Sequence, residues 1–504
     1  MMQHLVIAPV LLPLLAGIAL LLLRPLPIGW RRVLSLLAVL AQVWLALLLL
    51  GQAGDGGIFT YALGDWPAPY GIVLVADRLA AGMLLITALL GLLALLYASR
   101  GTDLEGRHFH VLFQLQLFGL NGAFLTGDLF NLFVFFEILL LASYGLLLHG
   151  GGPERTRAGL HFVVINLAGS TLFLFAVGTL YGVLGTLNMA DLARRMAQVG
   201  PAELGLVQAA GLLLFGVFAL KAALVPLYLW LPAAYAGTSA PVAALFAVMT
   251  KVGVYSIVRL DTLIFGAQAG DSAHLLGDWL LPLALLTLAI GMAGVVASTG
   301  LRQQAAYLVI ASVGTLLIAA GLGTAGGLAA GLYYLPHTTF AAAALFLLAD
   351  SIARRRGKLA DRFAPDGTLS HPRLLGGLFF ITAVLIAGLP PLSGFVAKFL
   401  ILRAALPHPD LAWIMAVVLV TSLLALIALA RSGSVLFYRA RVVNPPAGGE
   451  RLLPELAPAA ALLLLCLGLV LWAGPVHEYT LRTAQQLHHP QIYIDAVLGR
   501  EVAP

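Results

Sequence analysis

The chain is a succession of continuous apolar runs, and that feature decides what it can fold into. About 17–25 apolar residues carry a helix across the hydrocarbon layer of a bilayer. Fourteen such runs lie near residues 5–23, 33–50, 79–98, 109–127, 129–148, 160–183, 205–231, 242–260, 279–298, 305–322, 329–349, 375–406, 411–431 and 453–473. They are unbroken and rich in Leu and Ala, where the strands of a membrane barrel would alternate apolar and polar residues. The expected fold class is therefore an all-α integral membrane protein of about 14 transmembrane helices, forming a single membrane domain over 1–504. Composition agrees: 61% of the residues are hydrophobic and 10% are charged, against about 25% charged in a soluble domain. Met1 to His4 carry no Lys or Arg and no small-residue cleavage pattern precedes Arg24, so the first run is expected to remain a span. Cys466 is the single cysteine, which excludes a disulfide framework, an iron–sulfur cluster and a Cys-based zinc site. No metal site, nucleophile motif or cofactor is expected. The net charge of +6 sits in loops and reads as orientation and lipid contact rather than nucleic-acid binding.

The loop charges set a direction. Loops after odd-numbered runs hold Arg24, Arg31 and Arg32, then Arg100 and Arg107, Arg155 and Arg157, Arg302, the cluster Arg354 to Arg356 with Lys358, Arg362 and Arg373, and finally Arg439, Arg441 and Arg451. Loops after even-numbered runs hold little beyond Arg78, Arg194 and Arg195. The positive-inside rule places the odd loops in the cytoplasm and both termini on the outer side. The stretch Asp350–Arg373 is the longest polar one and is expected to be a loop.

Two runs are over-long and contain prolines: 205–231 holds Pro226, and 375–406 holds Pro390 and Pro391. Proline removes a backbone donor and kinks a helix. At membrane depth a broken helix persists only where protein or a wet cavity satisfies the freed groups. Paired interruptions are the sequence pointer to inverted repeats around a transport site. The interrupted runs are the seventh and twelfth, and an odd offset reverses direction in the membrane. Helices 4–8 (109–260) and 9–13 (279–438) are thus expected to be inverted five-helix repeats.

Ionisable residues inside the runs are few. The chain has four lysines, Lys221, Lys251, Lys358 and Lys398, and three of them fall within apolar runs. A charge at the bilayer centre costs at least ~2.5–3.5 kcal/mol on insertion scales and is functional by default. Lysine in place of arginine is informative, because arginine keeps its proton in proteins whereas a desolvated lysine can release and regain one. Glu137 is ninth of the twenty residues 129–148, Lys251 tenth of the nineteen in 242–260, and His337 ninth in 329–349, all near the midplane. Asp128, Asp261 and Asp350 lie at run ends and read as interfacial caps, and His161 as a residue reaching for the headgroups. A locking Glu137–Lys221 salt bridge, a core histidine at His337 and a snorkelling Lys398 are the competing structural readings.

These same positions sit in recognisable motifs. The stretch GDLFNLFVFFEILLLASYGLLL (127–148) resembles the fifth helix of the D subunit of the Mrp-type (Pha or Mnh) monovalent cation/proton antiporters. ALKAALVPLYLWLPAAYAGTSAPVAALFAVMTKVGVYSIVRL (219–260) resembles the seventh and eighth helices of that family. HTTFAAAALFLLAD (337–350) and GLPPLSGFVAKF (388–399) resemble its eleventh and twelfth. The family is related to the antiporter-like subunits of respiratory complex I and of membrane-bound hydrogenases. The resemblance implies a proton relay at Glu137, Lys221, Lys251, His337 and Lys398, with Thr250, Thr338 and Thr339 as hydroxyls that line it. It also implies partners: other membrane subunits of an antiporter complex, protons and monovalent cations such as Na⁺, and a bacterial cytoplasmic membrane as the location. Two positions depart from complex I relatives, Tyr228 where they carry His and Ala341 where they often carry Lys. The second reading, a proton-pumping subunit of complex I or of a membrane-bound hydrogenase, uses the same residues. A membrane scaffold would have no reason to hold five titratable groups at depth.

Overall fold

The computed structural model describes residues 3–365, 367–442 and 452–499, and Met1, Met2 and Arg451, used above, lie outside them. In chain order the helices are α1 (Ala8–Leu22), α2 (Ile28–Gly54), α3 (Arg78–Ala98), α4 (Phe109–Leu125), α5 (Leu129–Leu147), α6 (Pro153–Leu184), α7 (Met189–Met196), α8 (Pro201–Ala222), α9 (Trp230–Gly237), α10 (Ala240–Phe246) and α11 (Met249–Arg259). They continue with α12 (Gly277–Ala297), α13 (Leu301–Gly321), α14 (Ala325–Arg355), α15 (Pro372–Ala387), α16 (Ser393–Ala405), α17 (Leu411–Gly433), α18 (Leu452–Leu471), α19 (Ala473–His488) and α20 (Pro490–Leu498). Among the described residues, eleven helical stretches are long and apolar enough to cross a membrane, and α1, α4 and α15 are shorter apolar helices. Strand is confined, among the described residues, to two small two-stranded sheets, one pairing Phe59–Ala62 with Val73–Ala76 and the other Thr368–Leu369 with Arg441–Val442.

Local chemistry sets the helix starts. Asp77 and Asp128 each cap a helix by accepting from the backbone N–H three residues on, Ala80 at 2.9 Å and Asn131 at 2.8 Å. Thr324 does the same for α14 through Gly327 at 3.1 Å. Such caps satisfy donors that a helix leaves free. Asp128 is thus a cap, as expected, but Asp261 and Asp350 are not. Asp261 lies in the wider last turn, Leu260–Ile264, that extends α11. Asp350 is internal to α14, where Arg354 one turn on (2.7 Å) and Arg302 (3.0 Å) hold its carboxylate. Helix α14 stays helical to Arg355, so the loop begins six residues later than the run pattern suggested.

Burial ranks the helices. In the apolar stretch of Ala240–Ile264 every residue is buried, and α14 and α13 follow at 89% and 83%. The stretch containing α17 is only 28% buried. The centre is therefore α10, α11, α13 and α14, with α2, α6 and α17 outside. Two of the long apolar runs are interrupted. Helix α8 stops at Ala222, Ala223 turns left-handed (φ 61°), and helix resumes at Trp230. Helix α15 stops at Ala387, Gly388 turns left-handed (φ 80°), and helix resumes at Ser393. Side chains meet helix-end carbonyls at both interruptions, and Leu220 O also accepts from Ala223 N–H at 3.1 Å. Trp230 Nε1 donates to Leu220 O at 3.1 Å, and Lys398 Nζ donates to Ala387 O at 3.0 Å.

Candidate functional site

The interruptions and the central helices bring the titratable groups into two neighbouring clusters. Lys221 is the penultimate residue of α8, where the negative end of the helix dipole favours a cation. Its Nζ donates to Asn166 Oδ1 at 3.2 Å and lies 5.8 Å from the centre of the Phe136 ring. Glu137, next to Phe136 on α5, is half-buried and accepts a hydrogen bond from Ser170 Oγ. Among the described residues Glu137 and Lys221 form no direct ion pair. They meet through α6, because Asn166 and Ser170 stand one turn apart on the same helix face. The competing salt-bridge reading is not what forms: Glu137 and Lys221 each bond a residue of α6, Ser170 and Asn166, and no hydrogen bond joins those two among the described residues.

The second cluster begins at Lys251, which is 0% exposed. Its Nζ donates to Ser312 Oγ at 3.2 Å and to Thr250 Oγ1 at 3.4 Å. Ser312 opens onto a cavity of about 40 Å³ that is also lined by Thr315, Tyr334, His337, Thr338, Lys398 and Ser422. A water needs about 10–15 Å³ measured in this way, so the cavity has room for a short file of waters. His337 Nδ1 is 2.9 Å from Ser393 Oγ at the start of α16. Lys398 Nζ donates to Ser422 Oγ on α17 at 2.9 Å, so this lysine points inward rather than to an interface. Gly394 is needed where it is: a Cβ there would sit 3.0 Å from His337 Cε1.

Of the three threonines expected to line a relay, Thr250 touches Lys251 and Thr338 faces the cavity. Thr339 does neither; its hydroxyl donates to Leu335 O at 2.8 Å inside its own helix. His161 is exposed on α6. The two clusters approach at Gly253, where an added Cβ would lie 2.5 Å from Ala222 N. No side-chain hydrogen bond joins them among the described residues.

Fixed charge is handled differently. Buried Arg259 pairs with Asp77 at 2.6 Å, Arg32 with Asp103 at 2.7 Å, and Arg355 with Glu455 at 2.6 Å. Buried Arg78 and Arg356 meet backbone carbonyls, and the three lysines meet an amide, hydroxyls and a carbonyl. A carboxylate partner pins a charge, whereas hydroxyls both donate and accept and so suit a proton in transit.

The family model described as NADH:quinone oxidoreductase/Mrp antiporter, transmembrane, matches residues 126–425. The probable K⁺/H⁺ antiporter D subunit of Rhizobium meliloti is 43% identical over 99% of this chain and 98% of its own length. The Na⁺/H⁺ antiporter D subunit of Bacillus subtilis is 39% identical over 99% of this chain and all of its own. A chain from the Mrp complex of Dietzia sp. has the same fold, with a TM-score of 0.86 and 30% identity over 99% of both chains. With the model matching more than half of its length and full-length relatives named as D subunits, this chain belongs to the NADH:quinone oxidoreductase/Mrp antiporter family and is of the D-subunit type.

Proposed function

We propose that this chain is the proton-translocating subunit of a multisubunit secondary antiporter that exchanges protons for a monovalent cation, Na⁺ or K⁺, across a bacterial cytoplasmic membrane. The observation that carries the reading is the cavity joining Ser312, the partner of Lys251, to His337, Lys398 and Ser422. A proton released by Lys251 passes to Ser312, then through waters and the hydroxyls of Thr315 and Thr338 to Lys398, with His337 at the cavity wall. Glu137 and Lys221, each bonded to α6 through Ser170 and Asn166, set the charge in the other cluster. The Gly253 contact, with no side-chain bridge, is the step that the transport cycle opens and closes.

The finer architecture belongs to the same proposal. The fourteen runs read as fourteen crossings; the eleven long and three shorter apolar helices support that count. The interruptions near Pro226 and near Pro390 and Pro391 read as proline breaks at equivalent places in inverted repeats 109–260 and 279–438. In each break a side chain donates to a carbonyl at the end of the interrupted helix, which supports the equivalence. Arginine-rich loops support a cytoplasmic odd side with both termini outside. Full-length relatives named as antiporter D subunits favour antiport over the redox-complex reading.

The test is dye-monitored proton exchange in everted vesicles holding the whole complex, driven in separate runs by Na⁺ and by K⁺. Lys398→Ala is expected to abolish exchange and Ser312→Ala to slow it several-fold, with the complex still assembled. Full exchange by Lys398→Ala refutes the relay.

A further inference from the structure

Away from the relay, a cleft of about 620 Å³ lies between the α1–α2 turn and the loop that leads into α4. Its cationic lining is Arg24, Arg31 and Arg107, with the imidazoles of His108 and His110 beside them. One carboxylate, Asp103, also faces it but is already taken: Arg32 holds both of its oxygens, at 2.7 and 2.8 Å, and His110 Nε2 lies 3.2 Å away. The lining is therefore positive after internal pairing. Two of its nitrogens are buried without any partner, Arg31 Nε and His110 Nδ1, and His110 is only 4% exposed. With Nε2 donating to Asp103, the imidazolium form of His110 is the one that offers Nδ1–H to an entering anion. Buried polar atoms in native proteins are nearly always paired, so these two orphans mark a missing ligand.

The rest of the cleft says which ligand. Leu20, Ile28 and Val111 line its apolar part, and Leu22, Leu23, Leu26 and Leu104 are exposed around it. A free anion has no use for that surface, whereas the glycerol and first acyl carbons of a lipid do. The cleft also sits on the arginine-rich side, where cytoplasmic-leaflet anionic lipids gather and basic pockets between helices take their head groups. We propose that this cleft binds the phosphate of an anionic phospholipid, held by Arg24, Arg31 and Arg107 with His110 beneath.

The test uses the purified whole complex in detergent, titrated with phosphatidylglycerol, with phosphatidylcholine and with inorganic phosphate. Lipid retention is followed by native mass spectrometry and unfolding temperature by intrinsic fluorescence. Phosphatidylglycerol is expected to stay bound and raise the unfolding temperature, and phosphatidylcholine and inorganic phosphate are not. The combined variant Arg24→Gln, Arg31→Gln, Arg107→Gln should lose most of the phosphatidylglycerol response. Arg24 and Arg107 are exposed, so the double variant Arg24→Gln, Arg107→Gln, which keeps Arg31, serves as the fold-safe form and should weaken retention several-fold. Equal responses to both lipids, an unchanged response in the double variant, or a match by inorganic phosphate alone overturns the proposal. So does a complete absence of response, the result expected if an adjacent subunit fills the cleft.

Discussion

At the scale of single residues, no lysine of this site keeps a carboxylate partner among the described residues. Lys221 faces an amide, and Lys251 and Lys398 face hydroxyls, while buried Arg259 faces a carboxylate and buried Arg78 and Arg356 face backbone carbonyls. If Lys221 must give up its proton, an arginine there preserves charge and still fails. Lys221→Ala is expected to abolish exchange and Lys221→Arg to lower it at least tenfold, read as dye-monitored exchange in vesicles with the complex fully assembled. Wild-type rates in the arginine variant would mean that only fixed charge matters. The five titratable positions were legible from sequence because a charge inside an apolar run is costly enough to demand a reason. Asn166, Ser170, Ser312, Ser393 and Ser422 were not. A neutral hydroxyl in a helix commonly bonds its own backbone, as Ser422 does with Val418 O at 2.7 Å and Ser312 with Val309 O at 2.6 Å. Nothing in the letters says which hydroxyls also reach a neighbouring helix. The one usable signal was Asn166 and Ser170, four apart and so on one face of the run 160–183.

Between elements, close approach does as much as charge. Gly253 lets α11 lie against Ala222 of α8, so the two lysine clusters are held at backbone distance. Gly253→Val is expected to cost ~1–3 kcal/mol of stability through overpacking and to stop exchange by prising the clusters apart. Gly216→Ala, on α8 with nothing within 4 Å of the added carbon, is expected to keep exchange and to gain up to ~1 kcal/mol. Thermal unfolding and exchange measured on the same preparations separate the two. A second tie lies in the loop between α3 and α4. Burial raises the Asp103 carboxyl, but the hydrogen bonds from Arg32 and His110 outweigh it and hold the group at about 2. A carboxyl that titrates near 3.9 when unfolded thus contributes stability that is complete above that value and lost as pH falls through about 2. Asp103→Asn is expected to lower the unfolding temperature by several degrees at neutral pH, with the gap to wild type closing as the pH drops below 4. A gap that does not change with pH would remove the ionic tie. The element pattern itself was well marked in the sequence, since length and continuity of apolar runs are what a bilayer selects. The short sheets, α9 and the restart at Ser393 were not, because they depend on how freed backbone groups find partners in three dimensions.

For the whole molecule, burial falls from complete in the stretch Ala240–Ile264 to 28% around α17 and 33% in α2. Those outer helices present broad apolar faces, among them Trp44 on α2 and Trp413 on α17. Together with relatives that are all named as subunits, this predicts that the chain expressed alone inserts into the membrane yet exchanges little or no Na⁺ or K⁺ for protons. Co-expression with its neighbouring genes is expected to restore exchange in everted vesicles, and robust exchange by the purified single chain would contradict it. The narrow cavity between Ser312 and Lys398 has one more consequence. A space of about 40 Å³ acts as a sieve: an alkali ion with its hydration shell does not fit, and shedding that shell requires a ring of oxygens to take its place. A proton needs no such room, because it travels as a rearrangement of bonds along waters that themselves stay put. In the proposed relay, a passage of this bore carries the proton and excludes the hydrated cation.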